Sequence, residues 1–481
     1  MRCKQILTLL TGLVECLCFA GVTFGWASLV FVLKKEKYFQ DFCPDAGNHT
    51  INSTDSCLPQ DEQFSLIFTV AAFMNNIMTF PCGFMFDHFG TAVTRLFGIL
   101  FYTAATLLIA FSSADSGFLL FPALSLLATG GIILILTNMQ VGNLFGSQRS
   151  LVITLYNGAF DSSAVMFLIV KVLYQNGISL RALFLCISSC SVFHILRTII
   201  LMPKKHIPFP LPEGYVYGVS CGKAIPDSIT PSTPSTDGEV CRDVKALAAD
   251  PTLNSNMECD KQVEASCWNC AISSLFGWHL VWLSFMQLRH YLFIGTLNTT
   301  ITRLSGGDLH TVSKYTNAFA VSQFCGIFCA PWNGLIMDRH KKKHKATKKI
   351  DDLHSSVLSL FVTTILSILF SLSASVSLLP MLYPTFIFQV LNRSFLYGGN
   401  AAFLSIAFPS KHFGKLYGLM MSVAAVISLL QYPAFYIIRF HLHGDPLYVN
   451  IFLIFLMLVT FAHPLNVFRI YKNARKTATE P

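Results

Sequence analysis

Charge is scarce in this chain. Asp, Glu, Lys and Arg make up 12% of its 481 residues, about half the ~25% usual in soluble domains. A water-exposed surface over a chain this long needs more charge than that. A soluble enzyme, a nucleic-acid binder and a disordered chain are therefore excluded by composition. The chain also lacks the short motifs of common catalytic sites. It has no His-Glu-x-x-His pair for zinc and no Gly-x-x-x-x-Gly-Lys loop for phosphate. No cofactor is expected, and no metal, since Cys267-x-x-Cys270 has no second pair beside it.

What the chain has in abundance is apolar length. Hydrophobic residues reach 53%, with 43 Phe. A bilayer-spanning helix needs about 20 mostly apolar residues. Twelve segments qualify: 6–33, 64–86, 92–113, 117–141, 150–173, 179–201, 275–298, 314–337, 354–377, 381–407, 415–438 and 446–470. They are numbered spans 1 to 12 below. Lipid offers no partner to backbone amides, so such segments are helices, and their length excludes a β-barrel. The expected fold is an all-α membrane protein of twelve helices in two six-helix halves. The first span is longer than a signal-peptide core, with no clear cleavage site after it.

The net charge is +9, from 34 Lys+Arg against 25 Asp+Glu. Its placement is the useful signal. Lys204 and Lys205, the run from Arg339 to Lys349, Lys411 and Lys415, and Arg469 to Lys476 all follow alternate spans. That is the positive-inside pattern, and it puts these loops and both termini in the cytosol. The loop after span 1 then faces outside. It carries two glycosylation sequons, at Asn48 and Asn52, flanked by Cys43 and Cys57. An external loop permits a Cys43–Cys57 disulfide and glycosylation.

Residues 203–274 separate a first half, 1–202, from a second, 275–481. The segment is rich in Pro, Ser, Thr and Asp and cannot bury a core, so it is expected to be a mobile, disordered cytosolic linker. The halves look related. Gly83-x3-Asp87 follows span 2 and Gly334-x3-Asp338 follows span 8; Leu155-Tyr156-Asn157-Gly158 opens span 5 and Leu416-Tyr417-Gly418 opens span 11. Duplicated halves are the signature of transporters that rock around a central site.

Ionisable groups inside lipid are expensive, roughly 2.5–3.5 kcal/mol on insertion scales, so embedded ones mark sites. Glu15 in span 1, Asp161 in span 5 and Arg393 in span 10 stand out, with Arg289 and His290 adjacent in span 7. Of the last two, neighbours about 100° apart on a helix, His290 is favoured to face the cleft. Buried ion pairing between helices is the competing role for each. Amides form a second group, with Asn75, Asn138 and Asn400 preferred among several, although hydrogen bonds between helices would use them equally well. Phe19, Phe24, Trp26, Phe160, Trp282, Tyr291 and Tyr397 are able to stack on a flat ligand, although lipid contact or packing is the commoner role for any one of them.

Gly83 to Gly90 and Gly334 to Arg339, each closing on a Gly-x3-Asp pattern, resemble the loop motif of the major facilitator superfamily. The first copy departs from it at His88 and Thr91, where basic residues are usual. The resemblance implies that Gly83, Asp87, Gly334, Asp338 and Arg339 hold a conformational state, each Asp facing a helix N-terminus. Longer stretches are similar to solute carrier family 43: Leu9 to Cys16, Phe73 to Asn76, Leu155 to Ser163, His290 to Asn298 and Arg393 to Asn400. This family resemblance covers nearly the whole chain and points to its nucleobase-carrying branch. It implies facilitative, sodium- and proton-independent transport of purine nucleobases such as adenine, guanine and hypoxanthine across the plasma membrane. Other members of the family carry large neutral amino acids. A receptor or scaffold that no longer transports is the rival from another class, suggested by the 203–274 segment. The partners expected are a small purine and the lipid bilayer, with no nucleic acid.

Overall fold

The computed structural model describes residues 2–43, 58–212, 214–219, 267–306, 308–339, 348–442 and 445–479. Asn48, Asn52 and Cys57 lie outside the described residues; Cys43 is disulfide-bonded. Among the described residues every regular element is a helix, and the helices follow the twelve expected segments in order.

Eight stretches are long and apolar enough to cross a membrane, or nine if the bent pair His310–Phe324 and Gly326–Asp338 is one span. One of the eight, Ala114–Gln175, contains both span 4 and span 5. Span 7 (Ser274–Leu304) and span 10 (Leu382–Ala407) are not among them. Their length is ample, but Gln287, Arg289 and His290 in one, and Gln389, Asn392 and Arg393 in the other, lower the mean hydropathy. Helices that carry polar groups at their centre face other helices rather than lipid.

Span 1 is broken. Helix Arg2–Glu15 passes through a wide π-helical turn, Cys16–Ala20, and a tight 3-10 turn, Val22–Gly25, before Trp26–Lys35 resumes. The break sits where backbones touch. A Cβ on Gly21 would stand 2.3 Å from the Phe160 carbonyl oxygen of span 5. A Cβ on Gly131 of span 4 would stand 1.8 Å from the Ala20 oxygen. Only glycine permits that approach.

The first six spans meet the second six along two seams. Span 2 (Leu58–Ile77 and Thr79–Phe89) packs on span 11 (Phe413–Ser428), and span 5 (Arg149–Ser162) packs on spans 8 and 10. The start of the 203–274 segment departs from the mobile linker expected of it. Ile207 N–H donates to Gln140 Oε1 at 3.0 Å, Asn143 Nδ2 donates to the Ile207 carbonyl at 2.7 Å, and Thr91 Oγ1 donates to the Lys205 carbonyl at 2.8 Å. Two buried amides at and just beyond the end of span 4, and a hydroxyl at the start of span 3, thus satisfy a backbone that prolines keep out of regular structure. Cys267–Ala271 forms a short helix ahead of span 7; residues 220–266 lie outside the described residues.

Candidate functional site

Where the two halves meet at mid-depth, Asp161 ends the first helix of span 5 and Arg393 lies at the middle of span 10. Arg393 Nε donates to Asp161 Oδ1 at 3.0 Å, with both side chains buried. The guanidinium stands 4.7 Å from the centre of the Phe24 ring, beside the break in span 1. Asp161 Oδ2 is buried with no partner among the described residues. The pair therefore joins the halves while keeping acceptor capacity unused.

Aromatic and amide groups surround it. Asn76 Nδ2 of span 2 donates to Tyr291 Oη of span 7 at 2.7 Å, and the Tyr291 hydroxyl lies beside that of Tyr397, one turn beyond Arg393. On the same side of span 7, His290 Nε2 accepts from Gln389 Nε2 at 2.8 Å, and Gln389 Oε1 accepts from Gln323 at 2.7 Å. The rings of His290 and Tyr397 meet edge-on, 6.5 Å apart. Asn75 and Gln287 are also buried, and Asn75 Oδ1 and both polar atoms of the Gln287 amide lack partners among the described residues. The cluster offers flat rings, amide donors and acceptors, and one ion pair. That set can hold a planar heterocycle by stacking and edge hydrogen bonds.

The structure thus brings Asp161, His290 and Arg393 together, with Asn75 next to Asn76 of the cluster. It takes Glu15, Asn138 and Asn400 elsewhere. Glu15 is fully buried inside the first half. Its carboxylate accepts from Arg95 at 2.5 Å, Arg197 at 2.7 Å, His194 Nδ1 at 2.8 Å and Asn138 Nδ2 at 2.7 Å. A carboxylate engaged by four donors has no capacity left for a ligand, which gives Glu15 a structural role; Asn138 donates to it, while its own Oδ1 is buried with no partner among the described residues. Asn400 is held inside the second half, where its Oδ1 accepts from His279 Nε2 at 3.0 Å. Arg95, His194 and Arg197 escaped the sequence reading, although embedded charge would have revealed them too.

The loop motifs lie at the end of the bundle that carries both termini. Asp87 reaches across to the N-terminus of the span 11 helix, accepting from the N–H groups of Gly414 at 3.1 Å and Lys415 at 2.8 Å. Asp338 accepts from Leu151 N–H at 2.8 Å, in the first turn of span 5. A Cβ on Gly83 would stand 2.1 Å from the Gly414 carbonyl, and one on Gly334 would stand 2.4 Å from Leu151 Cα. Arg149 adds a third crossing, donating to the Ser405 carbonyl at 2.8 Å while stacking on Phe209 at 4.3 Å. Arg339 closes the second motif and is exposed at its end.

Comparison with known proteins fits this arrangement. The family described as Major Facilitator Superfamily matches residues 16–432. The chain is 52% identical over 477 residues to "Equilibrative nucleobase transporter 1" of Bos taurus, covering 97% of this chain and 96% of that protein. It is 28% identical over 523 residues to "Large neutral amino acids transporter small subunit 3" of Homo sapiens, covering 97% and 93%. Among solved structures, the E. coli fucose:proton symporter FucP matches 98% of this chain and 99% of its own, with a TM-score of 0.54 at 11% identity. The human organic anion transporter MFSD10 matches 96% and 99%, with a TM-score of 0.53 at 11% identity. At that identity the two structures speak to fold alone.

Proposed function

The chain belongs to the major facilitator superfamily, and we propose that it is a facilitative carrier of purine nucleobases in the plasma membrane. The substrate class rests on one observation, the 52% identity over 97% of the chain to a bovine equilibrative nucleobase transporter. The geometry supports the rest of the reading. Basic loops put the end bearing Asp87, Asp338 and both termini in the cytosol. There the motif contacts and the Arg149 crossing hold the halves together. Transport then requires that these contacts open while those at the far end close, so that the Asp161–Arg393 pair and its aromatic surround are exposed first to one solution and then to the other. Independence of sodium and protons is part of the proposal, carried over from the equilibrative transporter that the chain resembles. Asn48 and Asn52 in the external loop are the proposed glycosylation sites, and Cys43–Cys57 the proposed disulfide.

Labelled adenine uptake into cells expressing the protein, against mock cells with surface expression verified, tests the reading. Uptake should exceed the mock level and fall with excess hypoxanthine. Uptake at the mock level despite surface protein refutes it. A large neutral amino acid is the second reading, favoured by the 28% identity over 97% of the chain to an amino acid transporter and by an ion pair that could accept an ammonium and a carboxylate. Excess leucine, rather than excess hypoxanthine, would then suppress uptake.

A further inference from the structure

Three buried arginines each meet a buried carboxylate: Arg95 and Arg197 share Glu15, and Arg393 takes Asp161. Arg289 in span 7 is as deeply buried, 2% exposed, and no carboxylate among the described residues reaches it. It points away from the central cluster, into the second half. Its Nε donates to Ser371 Oγ of span 9 at 3.1 Å, and its Nη1 to Asn450 Oδ1 of span 12 at 3.0 Å. Its guanidinium lies 5.0 Å from the centre of the Phe370 ring. Nη2 is buried and has no partner among the described residues.

Neutral acceptors do not cancel the charge. An uncompensated guanidinium in a low-dielectric interior costs several kcal/mol. A narrow cavity of about 20 Å³, room for one water-sized occupant, reaches this residue from the end of the bundle opposite the termini. Asn450 and Ser375 line it beside Phe293 and Leu382. Its one described acid, Asp445, is paired with Arg303 at 3.3 Å, and both of those side chains are part-exposed.

We propose that this cavity is an anion site, in which Arg289 holds a small, weakly hydrated monoanion of the halide class, chloride first. One uncompensated positive charge matches one negative charge. A doubly charged oxyanion would need a second free cation, and the other arginine of the lining is already paired. The apolar part of the lining favours an ion that sheds water easily. A bound halide would supply the missing countercharge and tie span 7 to spans 9 and 12, so that the second half moves as one body.

The test uses the purified full-length chain in detergent, without substrate, so its outcome is independent of the nucleobase reading. Melting temperature is measured in sodium chloride, bromide and gluconate at equal ionic strength. Chloride should raise it by about 3 °C over gluconate, and bromide by at least as much. Asn450→Asp places a carboxylate beside Arg289 and tests the same charge from within the protein. In this variant the halide shift should vanish, and the gluconate value should rise to the wild-type chloride value. Equal melting in the three salts for the wild-type chain overturns the proposal. So does a halide shift that survives Asn450→Asp undiminished, since the ion would then act elsewhere.

Discussion

The interiors of the two halves hold comparable clusters built from opposite chemistry. In the first half, spans 1, 3, 4 and 6 converge on Glu15, which Arg95, Arg197, His194 and Asn138 surround. In the second, spans 7, 9, 10 and 12 converge on neutral groups. His463 Nε2 and His279 Nδ1 share a hydrogen bond at 2.9 Å, His279 donates to Asn400, and Trp282 Nε1 donates to Thr364 at 3.0 Å. The lesson lies in how each would fail. Removing one member of a buried ionic cluster strands whole charges, whereas removing one member of a neutral network strands dipoles.

That difference sets an order of effects. Glu15→Ala should be the most damaging change, costing about 3–5 kcal/mol by leaving two guanidinium groups buried together. Size-exclusion profiles and melting of the purified variant would show it as loss of folded protein. His279→Phe keeps the aromatic stack on Trp282 but leaves Asn400 and His463 short of a partner, and should cost only about 1–3 kcal/mol. Equal losses in the two variants would break the comparison.

At the seam between the halves, Asp161→Asn should leave a folded protein at the cell surface yet reduce adenine uptake by about tenfold or more. The same variant with normal uptake would remove the ion pair from the transport account. Asp87→Asn weakens a charged acceptor that serves two backbone N–H groups, a contribution of about 1.5–3 kcal/mol. It should shift the carrier toward the state open at the cytosolic end, read as faster labelling of a cysteine introduced on that face. The exposed Arg303–Asp445 pair marks the small end of the scale. Asp445→Asn should change stability by less than about 1 kcal/mol, since solvent screens the pair.

The spans were legible because lipid forces helices of fixed length, so apolar runs report them directly. Polar interruption also identified spans 7 and 10 as inward-facing, since Arg289, His290 and Arg393 could not face hydrocarbon. What one sequence does not encode is helical rotation. Glu15 and Asp161 are both embedded acids with the same local signature, yet one turns into its own half and the other onto the seam. Their partners lie 80 or more residues away, on other spans. The packed stretch after span 6 was missed for a related reason. Its prolines mark it as irregular, and the amides of Gln140 and Asn143 that hold it sit more than 60 residues earlier. The glycines of span 1 mark close packing from sequence, but not that the helix would break at Gly21.

The central claim is that the halves rock around the Asp161–Arg393 junction and carry a neutral base without an ion. Labelled adenine uptake into vesicles reconstituted with the purified chain, followed to its plateau with no ion gradient, tests it most directly. Internal adenine should level off at the external concentration and rise no further when a sodium or proton gradient is imposed. Gradient-driven accumulation above that level, or vesicles that admit no adenine at all, would contradict it.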